Sequence, residues 1–171
     1  MFSPFAIRSR SGTIIRRYAS GIKQEEGRYL DGRRHGPWRR WYDDGILEEE
    51  SHYHEGRLHG PVTTYYPTGR RRSERHLHHA VLHGPFARFH PNGRVAEDGE
   101  WIDGRPHRVF SQWWPNGRKR LEGVFHHGAP VGEWRAWASD GREVYRGRWR
   151  DALGTSLRSE LKGAIAARVA A

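Results

Sequence analysis

Five glycines, spaced 24 residues apart without an insertion or deletion, constrain this chain more than any other feature. A fixed period of this length is typical of one supersecondary unit stacked on copies of itself, because each copy buries its apolar face against the next. The spacing therefore predicts a tandem-repeat protein and not a globular enzyme with one pocket. The glycines are Gly45, Gly69, Gly93, Gly117 and Gly141.

Bulky side chains recur at three fixed positions relative to these glycines. An aromatic residue stands four residues before each of them, at Trp41, Tyr65, Phe89, Trp113 and Trp137. Large apolar residues also stand seven before and eight after, and we expect these two positions to be buried. They are Trp38, Val62, Phe86, Phe110 and Trp134 before the glycine, and Tyr53, Leu77, Trp101, Phe125 and Trp149 after it.

Each period contains two turn signals. The repeated glycine follows Asp, Thr or Asn, and Gly, Asn and Asp tolerate the positive φ that tight turns require. A second stretch, Gly32 to Gly36 in the first full copy, then reverses the chain again. The pattern predicts an all-β fold, an elongated antiparallel meander of about six stacked 24-residue β-hairpin repeats.

The same register runs backwards to Gly21, so a degenerate copy begins near residue 8. We divide the chain into an N-terminal extension (1–7), the degenerate copy (8–31), five full copies (32–55, 56–79, 80–103, 104–127 and 128–151) and a C-terminal segment (152–171).

The spacing of the aromatics leaves two interpretations open. Trp38 and Trp41 are three residues apart, and strict alternation along a strand places such residues on opposite faces. Either a β-bulge rotates one ring, or aromatics cover both faces of the sheet.

The composition changes after Asp151, and apolar residues recur at helical spacing in Leu157, Leu161, Ile165 and Val169. This spacing predicts a short amphipathic α-helix over 152–171. We expect it to cover the open edge of the last hairpin. Docking to a partner or to a membrane surface is the alternative.

Composition bounds the class of protein. Only 35% of residues are hydrophobic, with eight Trp, seven Tyr and six Phe, so rings supply most of the apolar area of a thin structure. The chain has no cysteine, which excludes disulfides and thiolate chemistry. No apolar run reaches the roughly 18–20 residues of a membrane span. We expect a cytoplasmic protein, although the first residues, rich in Arg and Ser, superficially fit a transit peptide.

Arginines follow four of the five turn glycines at the same period, and the net charge is +10. These residues predict a positive rim along one edge of the sheet, which suits an acidic protein surface, an anionic lipid surface or nucleic acid. The alternative is that they are solvated turn residues. The candidate partner-binding residues are Arg70, Arg94, Arg118 and Arg142, together with Arg71, Arg72, Lys119, Arg120 and Trp114.

Twelve histidines raise the question of a metal site. His35, His59, His83 and His107 repeat at the period of the chain, and equivalent positions two strands apart are separated by roughly 9.6 Å, too far for one zinc ion. The pairs His78-His79 and His126-His127 should point to opposite faces of a strand. Across the turn, His54 or His78 could meet a neighbour. We therefore expect no metal and no cofactor, with solvated or strand-capping histidines instead.

Carboxylates also repeat, five residues after the turn glycine, at Glu50, Glu74, Asp98 and Glu122. A catalytic acid and base need different environments at one place, which even repetition does not provide. We expect these side chains to accept hydrogen bonds from turn amides or to pair with arginine. No enzymatic motif accompanies them, so we expect a protein without catalytic activity.

The pattern Gly-x-x-x-Gly-Pro-Trp-x-x-Trp-Tyr-x-x-Gly-x-x-x-x-Glu-x-x-Tyr at residues 32–53, echoed four times, resembles the variant class of MORN repeats. The resemblance covers about five-sixths of the chain and implies a meander of hairpins used for binding. Ala80 and Arg108 replace glycines of the pattern, and Ala138 replaces an aromatic or histidine.

The leading functional hypothesis is a non-enzymatic protein-protein interaction module. The resemblance implies that its partner could be a toxin, because many bacterial proteins with this repeat are named as antitoxins or immunity proteins. The alternative is peripheral binding to anionic phospholipid through the arginine rim and the terminal helix. Weak nucleic-acid binding, with a steep dependence on salt, is a third hypothesis.

Overall fold

The computed structural model describes residues 11–152, which form thirteen β-strands and one short 3₁₀ helix, Trp149–Ala152. The chain divides into two compact units, Met1–Ala80 and Val81–Ala171. Within each unit the neighbouring strands pair antiparallel, so the predicted all-β antiparallel meander is confirmed. The predicted N-terminal extension, and the predicted C-terminal helix beyond Ala152, lie outside the described residues. Within 11–152 no helix is long and apolar enough to cross a membrane.

The first unit contains seven strands: β1 (Gly12–Arg17), β2 (Lys23–Leu30), β3 (Arg33–Trp41), β4 (Leu47–His54), β5 (Arg57–Leu58), β6 (Gly60–Tyr65) and β7 (Arg71–His78). Their order in the sheet is β1-β2-β3-β4-β6-β7, and β5 also pairs with β4. His59 separates β5 from β6, and its N–H donates to His52 O at 2.8 Å. The two short strands thus take the place of one predicted strand.

The second unit contains six strands: β8 (Val81–Phe89), β9 (Val95–Ile102), β10 (Arg105–Trp113), β11 (Lys119–His126), β12 (Ala129–Trp137) and β13 (Glu143–Arg148). They pair in the order of the sequence. β13 stops before Trp149, where the 3₁₀ helix begins instead of a further strand residue. Trp149 still packs on Trp134, with ring centroids 5.2 Å apart.

The turns at the repeated glycines are closed by hydrogen bonds that explain their sequence. In the first, the Tyr42 N–H donates to Ile46 O (2.8 Å) and the Gly45 N–H donates to Tyr42 O (3.0 Å). The Asp44 carboxylate accepts the Ile46 N–H at 2.9 Å, a local bond that Asp and Asn are suited to make. Gly45 itself has φ 89°, so the Asp-Gly signal correctly located the turn.

The second turn of each period consists of two residues with positive φ, as in Asp31 (50°) and Gly32 (76°). Such turns match the right-handed twist of the flanking strands. At the end of the first unit the pair is His79 (50°) and Ala80 (69°), with no glycine. An L-residue in this region is strained by contact of its Cβ with the backbone. Ala80 at this position therefore lowers the stability of the fold.

We expect Ala80→Gly to raise the free energy of unfolding by roughly 0.5–1 kcal/mol, because relief of the strain exceeds the added freedom of the unfolded chain. Urea unfolding followed by tryptophan fluorescence measures the change. Gly32→Ala is the matched control, since Gly32 has the same turn position and an added Cβ there would meet no atom within 4 Å beyond its own and the adjacent residues. Only the local backbone strain then remains, so the variant should lower stability by a similar amount. A less stable Ala80→Gly variant would contradict this account of the turn.

A β-bulge precedes the aromatic residue four positions before each repeated glycine. The register shifts between Arg40 and Trp41, for example, and again between Gln112 and Trp113. An extra residue on one strand changes the direction in which the following side chain points. The register shift fits the bulge interpretation of the aromatic spacing, and these aromatics are half-buried.

The residues seven before each glycine form the buried layer, as predicted. Trp38, Val62, Phe86, Phe110 and Trp134 are all exposed by 8% or less. The set eight after the glycine is buried at Trp101 and Phe125 and half-buried at Tyr53, Leu77 and Trp149.

Edge-to-face ring contacts hold the core of the second unit together. The Phe125 ring centroid lies 5.6 Å from that of Phe110 and 5.0 Å from that of Trp134, with interplanar angles of 83° and 77°. Gly123 lies directly under the Trp134 indole, where a Cβ would stand 2.1 Å from a ring atom. The absence of a side chain at this strand position is therefore a condition for burying Trp134 completely.

Candidate partner-binding rim

Hydrogen bonds join successive turns along one edge of each unit. The side chain three residues before a repeated glycine reaches the backbone carbonyl 23 residues further along the chain. Because a carbonyl only accepts, His90 must carry its proton on Nε2. The pairs are Tyr18 with Trp41 (2.7 Å), Tyr42 with Tyr65 (2.8 Å), His90 with Trp113 (2.9 Å) and Trp114 with Trp137 (2.9 Å). These bonds fix the spacing of the turns that they join.

The asparagines of the second unit use both ends of the side-chain amide. In Asn92 the Oδ1 accepts the Arg94 N–H (3.1 Å) and the Nδ2 donates to Pro115 O (2.7 Å). In Asn116 the Oδ1 accepts the Arg118 N–H (3.0 Å) and the Nδ2 donates to Ser139 O (2.7 Å). Each amide closes its own turn and also binds the next, so successive turns are joined where the arginines begin.

Arg94 and Arg118 extend along this edge to the next turn. A guanidinium N–H of Arg94 donates to Asn116 O, and one of Arg118 donates to Asp140 O. Both side chains are exposed. Within residues 11–152 neither guanidinium pairs with a carboxylate. We refer to Arg94, Arg118, Lys119, Arg120 and Arg142 as the rim of the second unit.

The other members of this rim differ in how they are engaged. Lys119 pairs with Glu122, which offsets its charge. The Arg120 guanidinium lies 4.5 Å from the centroid of the half-buried Trp114 ring. Arg142 is exposed and follows the last turn. The indole of Trp114 is thus part of the edge and lies against Arg120, an arrangement that leaves less of the ring open for a nucleic-acid base to stack on.

The candidate residues of the first unit lie after its own turn. Arg70 is exposed, Arg71 pairs with Glu74 at 2.7 Å, and the Arg72 guanidinium lies 5.9 Å from the centroid of the Tyr66 ring. The charge of Arg71 is partly offset by its carboxylate partner. Arg94 and Arg118 differ from it in presenting charge that no carboxylate of 11–152 offsets.

The repeated carboxylates act as partners of basic and tyrosine side chains. Glu50 accepts from Arg39 (2.9 Å) and from the Tyr65 hydroxyl (3.1 Å). Glu74 and Glu122 pair with Arg71 and Lys119 as described above. The prediction of pairing with arginine is therefore confirmed for Glu50 and Glu74, whereas Glu122 pairs with a lysine.

Asp98 is the fourth repeated carboxylate and lies beside Lys119 and Glu122. Burial raises the pKa of Asp98, the positive charge of Lys119 opposes the rise, and the negative charge of Glu122 adds to it. Lys119 therefore interacts with two carboxylates, those of Asp98 and Glu122. The net positive charge of this turn comes from its arginines.

The structure corrects the prediction that adjacent histidines diverge. His78 ends β7, and His79 lies outside the strand at φ 50°, so strand alternation does not apply to the pair. Their ring centroids are 4.5 Å apart, and those of His126 and His127 are 4.6 Å apart. The inference that these pairs point to opposite faces was wrong.

The sequence predicted where the rim arginines lie, but not the hydrogen bonds that they and the asparagines donate to the next turn. The motif Pro-Asn-Gly-Arg occurs twice, at 91–94 and 115–118, at the repeat period. The repeated motif marks the two turns, but it does not by itself show which carbonyl each side chain reaches.

Residues 34–55 match the MORN repeat variant family. None of the curated proteins matches the chain. The match covers one predicted repeat and supports the MORN-repeat family for this chain. MORN repeats are generally binding and scaffold modules, so a non-enzymatic interaction role is compatible with the match.

Proposed function

We propose that this chain is a non-enzymatic protein-binding module that docks an acidic protein surface on the rim of its second unit. The observation that carries the proposal is the arrangement of Arg94 and Arg118. Both side chains are exposed, both are anchored to the next turn, and no carboxylate within 11–152 pairs with either.

Anchoring favours binding because it lowers the entropy cost. A free arginine loses side-chain freedom when it binds, whereas one already held by a backbone carbonyl has lost much of it in folding. A guanidinium has five N–H donors in a planar fork, so the bond to Asn116 O or Asp140 O leaves donors for a partner. The fork matches a carboxylate in a two-bonded geometry.

The geometry favours a protein partner over nucleic acid. Single-stranded nucleic acid binds to open aromatic surfaces beside positive charge, yet the Trp114 indole donates to Trp137 O and lies against Arg120. Successive turns are two strands apart, roughly 9.6 Å, a spacing that discrete carboxylates on a folded surface can match.

The proposed lack of catalytic activity is supported by the carboxylates. Glu74 and Glu122 each pair with the basic side chain three residues before them, and Glu50 is engaged by Arg39 and by the Tyr65 hydroxyl. Acid-base catalysis requires two titrating groups with divergent environments at one place, whereas these three carboxylates are each occupied by a structural partner.

Affinity capture tests the proposed class of partner. The full chain, immobilised through a cleavable tag, is exposed to native cell extract treated with nuclease, and the retained proteins are identified by mass spectrometry. We expect an acidic protein that is released as salt rises well above about 0.15 M. In parallel, the chain is sedimented with vesicles of phosphatidylserine and phosphatidylcholine. Retention on vesicles without capture of a protein would contradict the proposal and favour the membrane alternative.

The narrower proposal that the partner is a toxin rests on the resemblance to MORN-variant antitoxins. Expression of the captured protein alone should then arrest growth, and co-expression of this chain should restore it. A captured protein that leaves growth unchanged would reject the toxin and leave protein binding intact.

A further inference from the structure

We propose that His59, His78 and His79 form a binding site for a divalent transition-metal ion, with zinc as the probe that the ligand set suits. Imidazole nitrogen is a common zinc ligand, and zinc imposes little geometric preference of its own. Within residues 11–152, these three side chains form a group in which one ligand atom from each lies within 4.8 Å of the others.

The backbone brings the three rings together from two directions. His59 lies in the break between β5 and β6, where its N–H is bonded to His52 O. His78 ends β7, and His79 follows in the two-residue turn. The centroid distances from His59 to His78 and to His79 are 5.0 Å and 5.1 Å. The break between β5 and β6 and the turn after β7 thus bring the three imidazole rings close together.

Only small side-chain movements are needed for coordination. With zinc–nitrogen bonds of about 2.0–2.1 Å in a tetrahedral site, the nitrogens lie roughly 3.3 Å apart. Nitrogens within 4.8 Å of one another can reach this spacing through rotation about side-chain bonds. His78 and His79 are exposed, which gives the ion a path of entry. The Nδ1 of His59 is buried and has no hydrogen-bond partner within 11–152.

The neighbouring His54 completes the surroundings of the cluster but is not assigned as a ligand. Its ring centroid lies 5.7 Å from that of His59 and 6.3 Å from that of His79. We assign the fourth coordination position to solvent, which the exposure of His78 and His79 permits.

The chain contains an internal comparison for this site. His107, His126 and His127 occupy the same three repeat positions in the second unit, with centroids between 4.6 and 5.5 Å apart. There the Nδ1 of His107 accepts the His127 N–H at 3.3 Å, so one nitrogen is already used by the turn. His79 and His127 have nearly the same φ, 50° and 48°, which allows matched substitutions.

Calorimetric titration of the full, tag-free chain with zinc chloride tests the proposal, after dialysis against a chelator. We expect His79→Asn to weaken zinc binding at least about tenfold, since even outer-shell changes at zinc sites cost about 10–100-fold. His127→Asn should change the affinity by less than about twofold, because His127 is not one of the three ligands and belongs to the other unit. Asparagine tolerates positive φ, so both variants keep the turn, and their melting temperatures in chelator verify the fold.

Loss of zinc affinity in His79→Asn, with retention in His127→Asn, supports the site. The proposal is overturned if the wild-type chain does not bind zinc, if His79→Asn binds as tightly as wild type, or if His127→Asn loses as much affinity. If His79→Asn fails to fold, His78→Gln at the exposed end of β7 replaces it with the same expectations. The metal site is independent of the proposed partner binding.

Discussion

The Gly123→Ala variant should melt about 10–20 °C below the wild type, from a loss of about 2–3 kcal/mol in the free energy of unfolding of the second unit. The added Cβ would lie 2.1 Å from the Trp134 ring, which is fully buried. The indole cannot move away freely, because its other contacts include Phe125 and Trp149. The strain is therefore imposed on the Trp134 ring, which belongs to the buried cluster of this unit.

Gly99→Ala is the control for this prediction, because Gly99 has the same repeat position and also lies in the second unit. Its added Cβ would stand 3.2 Å from the Phe110 ring, a contact that a small ring shift relieves. We expect a change of less than about 1 kcal/mol. Thermal unfolding followed by circular dichroism compares the two variants. Equal loss of stability in both would contradict the proposed role of the Gly123–Trp134 contact.

The second large effect is expected in partner binding. Arg94→Glu combined with Arg118→Glu should weaken affinity for the captured acidic protein about 100–1000-fold, since removal of a central arginine at an interface often costs about 2 kcal/mol or more. Surface plasmon resonance with the purified partner measures the change. Arg94→Lys combined with Arg118→Lys keeps the charge but loses the fork, so its affinity should fall between wild type and the glutamate variant.

Arg105→Glu combined with Arg148→Glu provides the matched control. It makes the same change in net charge. Both positions are exposed, but they lie at the strand ends away from the rim of the second unit. We expect only a small loss of affinity from long-range electrostatics, and that loss should vanish with added salt. Similar losses in the control and the rim variant would show that net charge, and not the rim, decides binding.

The repeat period predicted the parts of the fold that depend on local sequence. The Asp44-Gly45 turn, the hairpins on either side of it and the buried ring of Trp38 follow from residue type and spacing alone. The bulge before Trp41 was one of two open interpretations, because spacing alone does not distinguish a rotated ring from aromatics on both faces of the sheet.

The contacts between repeats were not predictable in the same way. The reach of Tyr42 to Tyr65 O and of Arg94 to Asn116 O depends on how far apart successive turns lie, which no single repeat encodes. The convergence of His78 and His79 depends on the strand ending at His78. If the strand continued through His79, strict alternation would place His78 and His79 on opposite faces.

Hydrogen exchange of the full chain with and without its captured partner tests the central claim most directly. If the rim of the second unit is the interface, partner binding slows exchange in the turns at 90–94, 114–118 and 138–142. Slower exchange confined to the opposite turns, at 103–104 and 127–128, would place the interface elsewhere and contradict the account.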